Sequence, residues 1–138
     1  MTSLRPRPPQ RESLTIVLPL PPNRANQRVH WRVQRKGEHE WRARAFVELY
    51  RHAGPARYNR NKKQCWSVTA TLYVWSTMDD DNAVARLKLV LDLLVGHGLL
   101  YNDKRPWCRL SGIPEQVIDR KSQRVELTLT PLPDGEVR

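Results

Sequence analysis

The sequence predicts a single α+β (mixed α/β) domain, with a sheet of about four strands and two main helices. Three observations support this fold class. Two segments alternate apolar and polar residues with a period of two, which is typical of half-buried strands. Two other segments carry apolar residues at helical spacing. The segments follow one another as strand, helix, strand, helix and a final hairpin, and 138 residues fit one domain.

The two ends of the chain differ in composition from the part between them. Residues 1–12 are rich in proline and arginine and show no hydrophobic periodicity, which predicts a flexible basic arm. Residues 133–138 predict a flexible tail, so the domain spans 13–132. Its first strand is the apolar run "SLTIVLPL" at 13–20, which ends where the following prolines remove hydrogen-bond donors.

The first helix is predicted from Gly37 to about His52, followed by an exposed loop. Arginines occupy the rest of the helix surface, so the helix is amphipathic and has a basic side. Its apolar residues at helical spacing are Trp41, Ala45, Phe46, Leu49 and Tyr50.

The second strand and the second helix have the clearest patterns. The strand "WSVTATLYVWS" at 66–76 places every second residue on an apolar face: Trp66, Val68, Ala70, Leu72 and Val74. The helix is predicted from residue 82 to about 97, where Gly96 and Gly98 end it. Its predicted buried stripe is Val84, Leu87, Val90, Leu91, Leu94 and Val95. The segment 115–132 then predicts two strands around the polar "RKSQ".

The charge balance restricts the class of partner. The chain has 24 Lys and Arg against 14 Asp and Glu, a net charge of +10. Such a surface favours polyanions, nucleic acid first and an anionic membrane second. The longest apolar stretch, 87–100, carries Lys88 and Asp92 and is too short to span a bilayer. With no signal-peptide pattern, we expect a cytoplasmic protein in which Cys65 and Cys108 are reduced.

Three consecutive aspartates precede the second helix in this basic chain. One aspartate is enough to cap a helix, and three in a row repel one another, so capping alone and a cation site are both open. If the preceding strand continues through them, Asp79 and Asp81 point to one side and Asp80 to the other. Asp79, Asp81 and the later Asp103 are the acids we expect to bind a hard cation such as Mg²⁺.

Two further charged residues lie at helical spacing from these acids. Lys88 and Asp92 follow Asp81 by seven and eleven residues, which places all three on one narrow stripe of the helix. We expect Asp92 to form an i,i+4 ion pair with Lys88. A lysine beside carboxylates is also suited to stabilising charge in phosphoryl transfer.

From 13 to 132 the chain resembles the RusA family of Holliday junction resolvases. "LTIVLPLPPNRANQRVHW" is similar to the opening strand of the family, and "RVELTLTPL" is similar to its last strand. "DDDNAVARLKLVLDLLVGHGLLYND" resembles its pattern of Asp-x-Asp-Asn, a helix with Lys, and a closing Asp. The pattern falls on Asp79, Asp81, Asn82, Lys88 and Asp103. Lys88 lies three residues later than in the best-known member, which is nearly one helical turn.

The resemblance implies a homodimeric endonuclease of phage or prophage type that resolves four-way DNA junctions by paired nicks in the bacterial cytoplasm. It implies that Asp79, Asp81 and Asp103 bind Mg²⁺, or Mn²⁺ as a substitute, and that Lys88 assists. The ion polarises the scissile phosphate and activates water. No membrane and no small-molecule cofactor are expected.

The remaining positive charge is expected to bind DNA, with an affinity that falls steeply with salt. The candidates are Asn23, Arg24, Asn26, Arg28, Arg32, Arg57, Arg60, Lys62, Lys63, Lys104 and Arg105. Two alternatives stay open. One is a metal nuclease that cuts flaps, forks or other branched DNA, and the other is a basic DNA-binding protein without catalysis.

Overall fold

The computed structural model of the protein describes residues 13–22, 31–54 and 64–133. Within these ranges the chain forms five strands and two helices, which confirms the mixed α+β class and corrects the predicted four strands to five. The elements are β1 (Leu14–Pro19), α1 (Trp31–Ala53), β2 (Cys65–Val74), α2 (Asp80–His97), β3 (Cys108–Leu110), β4 (Glu115–Ile118) and β5 (Arg124–Leu132). The predicted N-terminal arm, and the predicted tail after residue 133, lie outside the described residues.

The sheet has the order β1-β5-β2, and β3 and β4 lie one after the other along the outer edge of β2. β5 is antiparallel to both of its neighbours. β3 pairs with 66–68 and β4 with 71–74, both parallel to β2. The predicted hairpin is therefore wrong, because the two consecutive strands β4 and β5 lie on opposite sides of β2. Residues 119–123 cross the end of β2 between them.

One face of the sheet is buried, as the alternating patterns predicted. The buried residues of β2 and β5 are Trp66, Val68, Ala70, Leu72, Val74, Val125, Leu127 and Leu129. On the opposite face Thr69, Thr128 and Thr130 are exposed. The buried residues of both helices belong to the same core as this face, so both helices cover it.

α1 begins at Trp31, six residues before the predicted start at Gly37. The residues before Gly37 include good helix formers, and one internal glycine costs only about 1 kcal/mol relative to alanine. Trp41, Ala45 and Leu49 are buried as predicted, whereas Phe46 and Tyr50 are 40% and 54% exposed. The Trp41 Nε1–H donates to the Pro19 carbonyl oxygen at 2.7 Å, which fixes α1 to the end of β1.

α2 begins at Asp80 and buries a wider arc than the predicted stripe. Val84 is 36% exposed and Val95 is half-buried, whereas Leu89 and Leu93 are buried. A second side of α2 is covered because Leu89 borders a groove formed with α1. Gly98 ends the helix at φ 95°, where its N–H reaches the Leu94 and Val95 oxygens. Gly96 lies inside the helix, contrary to the prediction.

Neither helix in the described ranges combines the length and the apolar character that a membrane span needs.

Candidate active site

The three consecutive aspartates lie at the start of α2 and are exposed to solvent. Asp79 is the N-cap residue, in an extended conformation with φ −61° and ψ 154°. Asp80 and Asp81 are already in the first helical turn. The expectations that the strand continues through residue 81 and that Asn82 starts the helix are therefore wrong. All three carboxylates remain within one turn at one end of the helix.

Capping does not account for these carboxylates. The Asp79 side chain makes no capping hydrogen bond, and only its backbone oxygen accepts one, from the Ala83 N–H at 3.0 Å. The ion pairs among the described residues join Arg51 to Glu48, and Arg124 to Asp119 and Glu126. The acids at the start of α2 therefore lack a paired cation in this part of the chain. The helix dipole offsets some of their repulsion, typically by less than 1 kcal/mol per charge at the surface.

Gln116 of β4 holds the residue that precedes these acids. The Met78 N–H donates to Gln116 Oε1 at 2.8 Å, and Gln116 Nε2 donates to the Met78 carbonyl oxygen at 2.9 Å. The side-chain amide of Gln116 thus pairs with Met78 as the backbone of a neighbouring strand would. They fix the segment between β2 and α2, and with it the backbone of Asp79. No sequence pattern indicated this role for a glutamine in a short strand.

Lys88 and Asp92 are exposed on the same side of α2 as Asp81, as the helical spacing predicted. Seven residues correspond to about 10 Å along a helix axis, so Lys88 is two turns from Asp81. The expected ion pair between Lys88 and Asp92 is not among the ion pairs of the described residues. Lys88 therefore faces the solvent two turns along α2 from Asp81, and it pairs with no carboxylate of the described residues.

Asp103 lies near the opposite end of α2. It comes just before β3, whose Cys108 pairs with Trp66 at the start of β2. A turn in which the Trp107 and Cys108 N–H groups donate to the Lys104 carbonyl holds this segment. The charge of Asp103 adds to the effect of burial in raising the pKa of the Cys108 thiol to about 11, which also places the carboxylate near this end.

The acids at 79–81 lie near one end of β2, and Asp103 lies near its other end. Gln116, which holds Met78, pairs with Leu72, six residues along β2 from Trp66. Six residues of strand span about 20 Å. In agreement with this, no three Asp, Glu, His or Cys side chains of the described residues lie close enough together to bind one metal ion. One copy of the chain therefore does not supply the predicted set of three carboxylates.

Arg86 is a second residue that the sequence reasoning missed. It lies in α2, half-buried, and its Nη1 is 3.8 Å from the Met78 sulfur. Burial lowers its pKa, and its Nε is buried with no hydrogen-bond partner. It has no acidic partner among the described residues. The sequence did mark this position, because Arg86 is a single arginine inside the apolar run from Ala83 to Leu87.

The outer edge of the sheet between the two acidic positions is exposed and carries several apolar side chains beside Arg109 and Glu115. No strand in the described part of the chain pairs with the outer side of β3 and β4. Its exposed apolar side chains are Leu110, Ile113, Val117 and Ile118, which are 37–54% exposed. Asp103 precedes one end of this edge, and Gln116 connects its other end to the acids of α2.

The predicted DNA-binding residues are only partly described. Arg32, Lys104 and Arg105 are exposed, and the last two follow Asp103 directly. The other candidates lie outside the described residues: Asn23, Arg24, Asn26, Arg28, Arg57, Arg60, Lys62 and Lys63.

A comparison with models of known protein families and with curated proteins finds no match to this chain.

Proposed function

We propose that the protein is a Mg²⁺-dependent endonuclease that cuts branched DNA, with four-way junctions as its main substrate, and that it acts as a homodimer in the cytoplasm. The observation that supports this most directly is the group of exposed carboxylates at the start of α2, which has no cationic partner among the described residues of a chain with net charge +10. Hard divalent cations bind such carboxylates, and the basic surface favours a polyanionic substrate.

A second copy of the chain supplies the third carboxylate in this proposal. Asp79 and Asp81 of one copy and Asp103 of the other would hold the ion between them. The exposed edge of β3 and β4 suits such an assembly because it presents four apolar side chains and runs from the Asp103 end of the domain to the acidic end of α2. A twofold axis perpendicular to this edge makes the same edge of the partner run in the opposite direction. Each Asp103 then comes near the acids of the other copy.

The basic residues have separate roles in this arrangement. Lys88, on the exposed side of α2, would contact the phosphate backbone near the cut. Arg86 is already partly desolvated beside Met78, so a phosphate oxygen can pair with it at a lower desolvation cost than a fully hydrated cation would have. Lys104 and Arg105 would bring positive charge next to the Asp103 of the second copy.

The test is cleavage of a labelled four-way junction with Mg²⁺ or with EDTA. Wild type is expected to nick the junction only with the metal, and Asp81→Asn is expected to lose cleavage by at least about 100-fold while it still binds. Asp92→Asn, which removes an equal charge from the same helix, is the matched control and should cut normally. Metal-independent junction binding without cleavage of any branched substrate would instead establish a non-catalytic protein. Flaps and forks assayed in parallel determine which branched substrate is preferred.

A further inference from the structure

α1 carries a line of basic side chains that the proposed active site does not use. The helix contains six Lys and Arg residues and three Glu residues. Arg35, Lys36, His39 and Arg42 follow one another at i, i+1, i+4 and i+7, so they share one side of the helix. We call these four residues the α1 stripe. All four are exposed.

The cations of the α1 stripe are available to a ligand. Arg35, Lys36 and Arg42 take part in none of the ion pairs of the described residues. Arg44 and Arg51 project from the other side of the helix, where Arg51 pairs with Glu48 at 2.9 Å. Glu38 and Glu40 border the α1 stripe, but the three cations outnumber these two acids, so this side of α1 keeps an excess of positive charge.

The orientation of the two helices directs the α1 stripe toward the acidic end of α2. Near the end of α2, His97 packs against Phe46 and contacts the Gly54 carbonyl oxygen at 2.8 Å. Farther back along both helices, Arg42 and Leu89 line the same groove. The helices therefore run in the same direction, and the first part of α1 extends from Leu89 toward the start of α2.

The α1 stripe also borders the exposed side of α2. Leu89 lies at the margin of the buried arc, and Lys88 and Asp92 beside it are exposed. Arg35, His39 and Arg42 line the groove on the other side of Leu89. Consequently, the α1 stripe and the side of α2 that carries Asp81 and Lys88 belong to one continuous surface.

We propose that the α1 stripe binds the phosphate backbone of one DNA strand and guides it toward Asp79 and Asp81. This inference rests on the proposed function, because DNA is the substrate there. Seven helical residues extend over about 10 Å. The phosphates of one DNA strand follow a backbone that winds around the duplex axis, so about two of them lie within that length. Arg35 and Arg42, one at each end of the α1 stripe, can each contact one of them.

The experiment compares two double variants with the same change in charge on the same helix. Arg35→Gln/Arg42→Gln removes two cations of the α1 stripe, and Arg44→Gln/Arg51→Gln removes two from the other side. Binding of a labelled four-way junction is measured in EDTA from 50 to 300 mM KCl, and circular dichroism checks that each variant is folded. The first variant should bind roughly tenfold more weakly than wild type, with a log–log salt slope smaller by about 2. The second should match wild type.

Equal weakening by both variants, or an unchanged salt slope in the first, would overturn the α1 stripe as a DNA-binding surface. Binding to phosphatidylserine vesicles that depends on the α1 stripe, without DNA binding, would overturn it in favour of a membrane surface. Cleavage in Mg²⁺ is assayed separately. A protein that needs the α1 stripe for binding but never cuts disproves the proposed function alone, whereas a nuclease indifferent to both variants disproves this inference alone.

Discussion

The side-chain amide of Gln116 pairs with both backbone polar groups of Met78, so a residue of β4 fixes the chain next to Asp79. The segment from β2 to α2 has only five residues, and the first helical turn depends on how it leaves the strand. A mobile segment here would allow the Asp79 and Asp81 carboxylates to move apart. The position of the acids therefore depends on a residue 37 positions later in the sequence than Asp79.

Gln116→Ala should weaken both the fold and the proposed activity. It leaves the half-buried Met78 N–H and carbonyl without partners, which costs about 1–3 kcal/mol in the free energy of unfolding. Cleavage assayed well below the melting temperature should fall further than the lost stability explains, because the acids lose their fixed position. Urea unfolding and junction cleavage are the two measurements. Gln123→Ala, at an exposed position near the start of β5, is the control and should change neither. Unfolding of Gln116→Ala at the wild-type urea concentration would contradict the role of the amide.

Much of the fold follows from local patterns, whereas the relationship between the acids does not. The alternation of β2 and the αL glycine at position 98 depend on neighbouring residues, so the sequence was sufficient to predict both. β3 has three residues and β4 has four, too few for a periodic signal, and their parallel pairing with β2 is a long-range property. The separation of Asp103 from Asp81 depends on that pairing. The sequence could therefore identify the acids as candidates but could not show that one chain keeps them apart.

Arg86→Met should affect stability and activity in opposite directions. The substitution replaces a half-buried cation that has no acidic partner among the described residues by an apolar side chain, so the free energy of unfolding should stay the same or rise by up to about 1 kcal/mol. Junction cleavage should fall by roughly tenfold or more if the guanidinium contacts a phosphate near the acids. Arg86→Lys keeps the charge and should retain more cleavage than Arg86→Met. Wild-type cleavage by Arg86→Met would show that the arginine only packs against Met78.

Cys108 should make the fold less stable in alkali. Burial, and secondarily the charge of Asp103, raise the pKa of its thiol to about 11 from an ordinary value near 9. A raised pKa means that the folded state favours the neutral thiol. The stabilisation is complete below the ordinary pKa and is lost as the pH rises toward 11. Urea unfolding at pH 8, 9.5 and 10.5 should show this decline, and Cys108→Ala should reduce it.

The same thiol provides a test of where Asp103 lies. Asp103→Asn removes the neighbouring negative charge, so the Cys108 thiolate should form at lower pH, as followed by the pH dependence of its alkylation by iodoacetamide. Cys65→Ala in the same background removes the other buried thiol from the signal. An unchanged Cys108 titration after Asp103→Asn would mean that the carboxylate does not lie near the start of β2.

Mixing two inactive variants should restore cleavage if each site combines residues from two copies. Consider a heterodimer of Asp81→Asn and Asp103→Asn. If Asp103 acts across the dimer, one of its two sites carries both substitutions and the other site carries neither. The intact site should nick one strand, so single nicks should appear without the paired nicks that resolve a junction. If each chain instead used its own Asp103, both sites of the heterodimer would carry one substitution and the mixture would stay inactive. The measurement is nicking of a four-way junction labelled on each strand, after the variants are mixed and allowed to exchange subunits.

The control is the Asp81→Asn/Asp103→Asn double variant mixed with wild type. Its heterodimers retain no intact site when Asp103 acts across the dimer, and they retain one intact site when it does not. Wild-type homodimers in the second mixture make paired nicks under either arrangement, so single nicks are the signal to compare. They should appear in the first mixture if Asp103 acts across the dimer, and in the second if it does not. A chain that stays monomeric at the assay concentration would contradict the shared site directly.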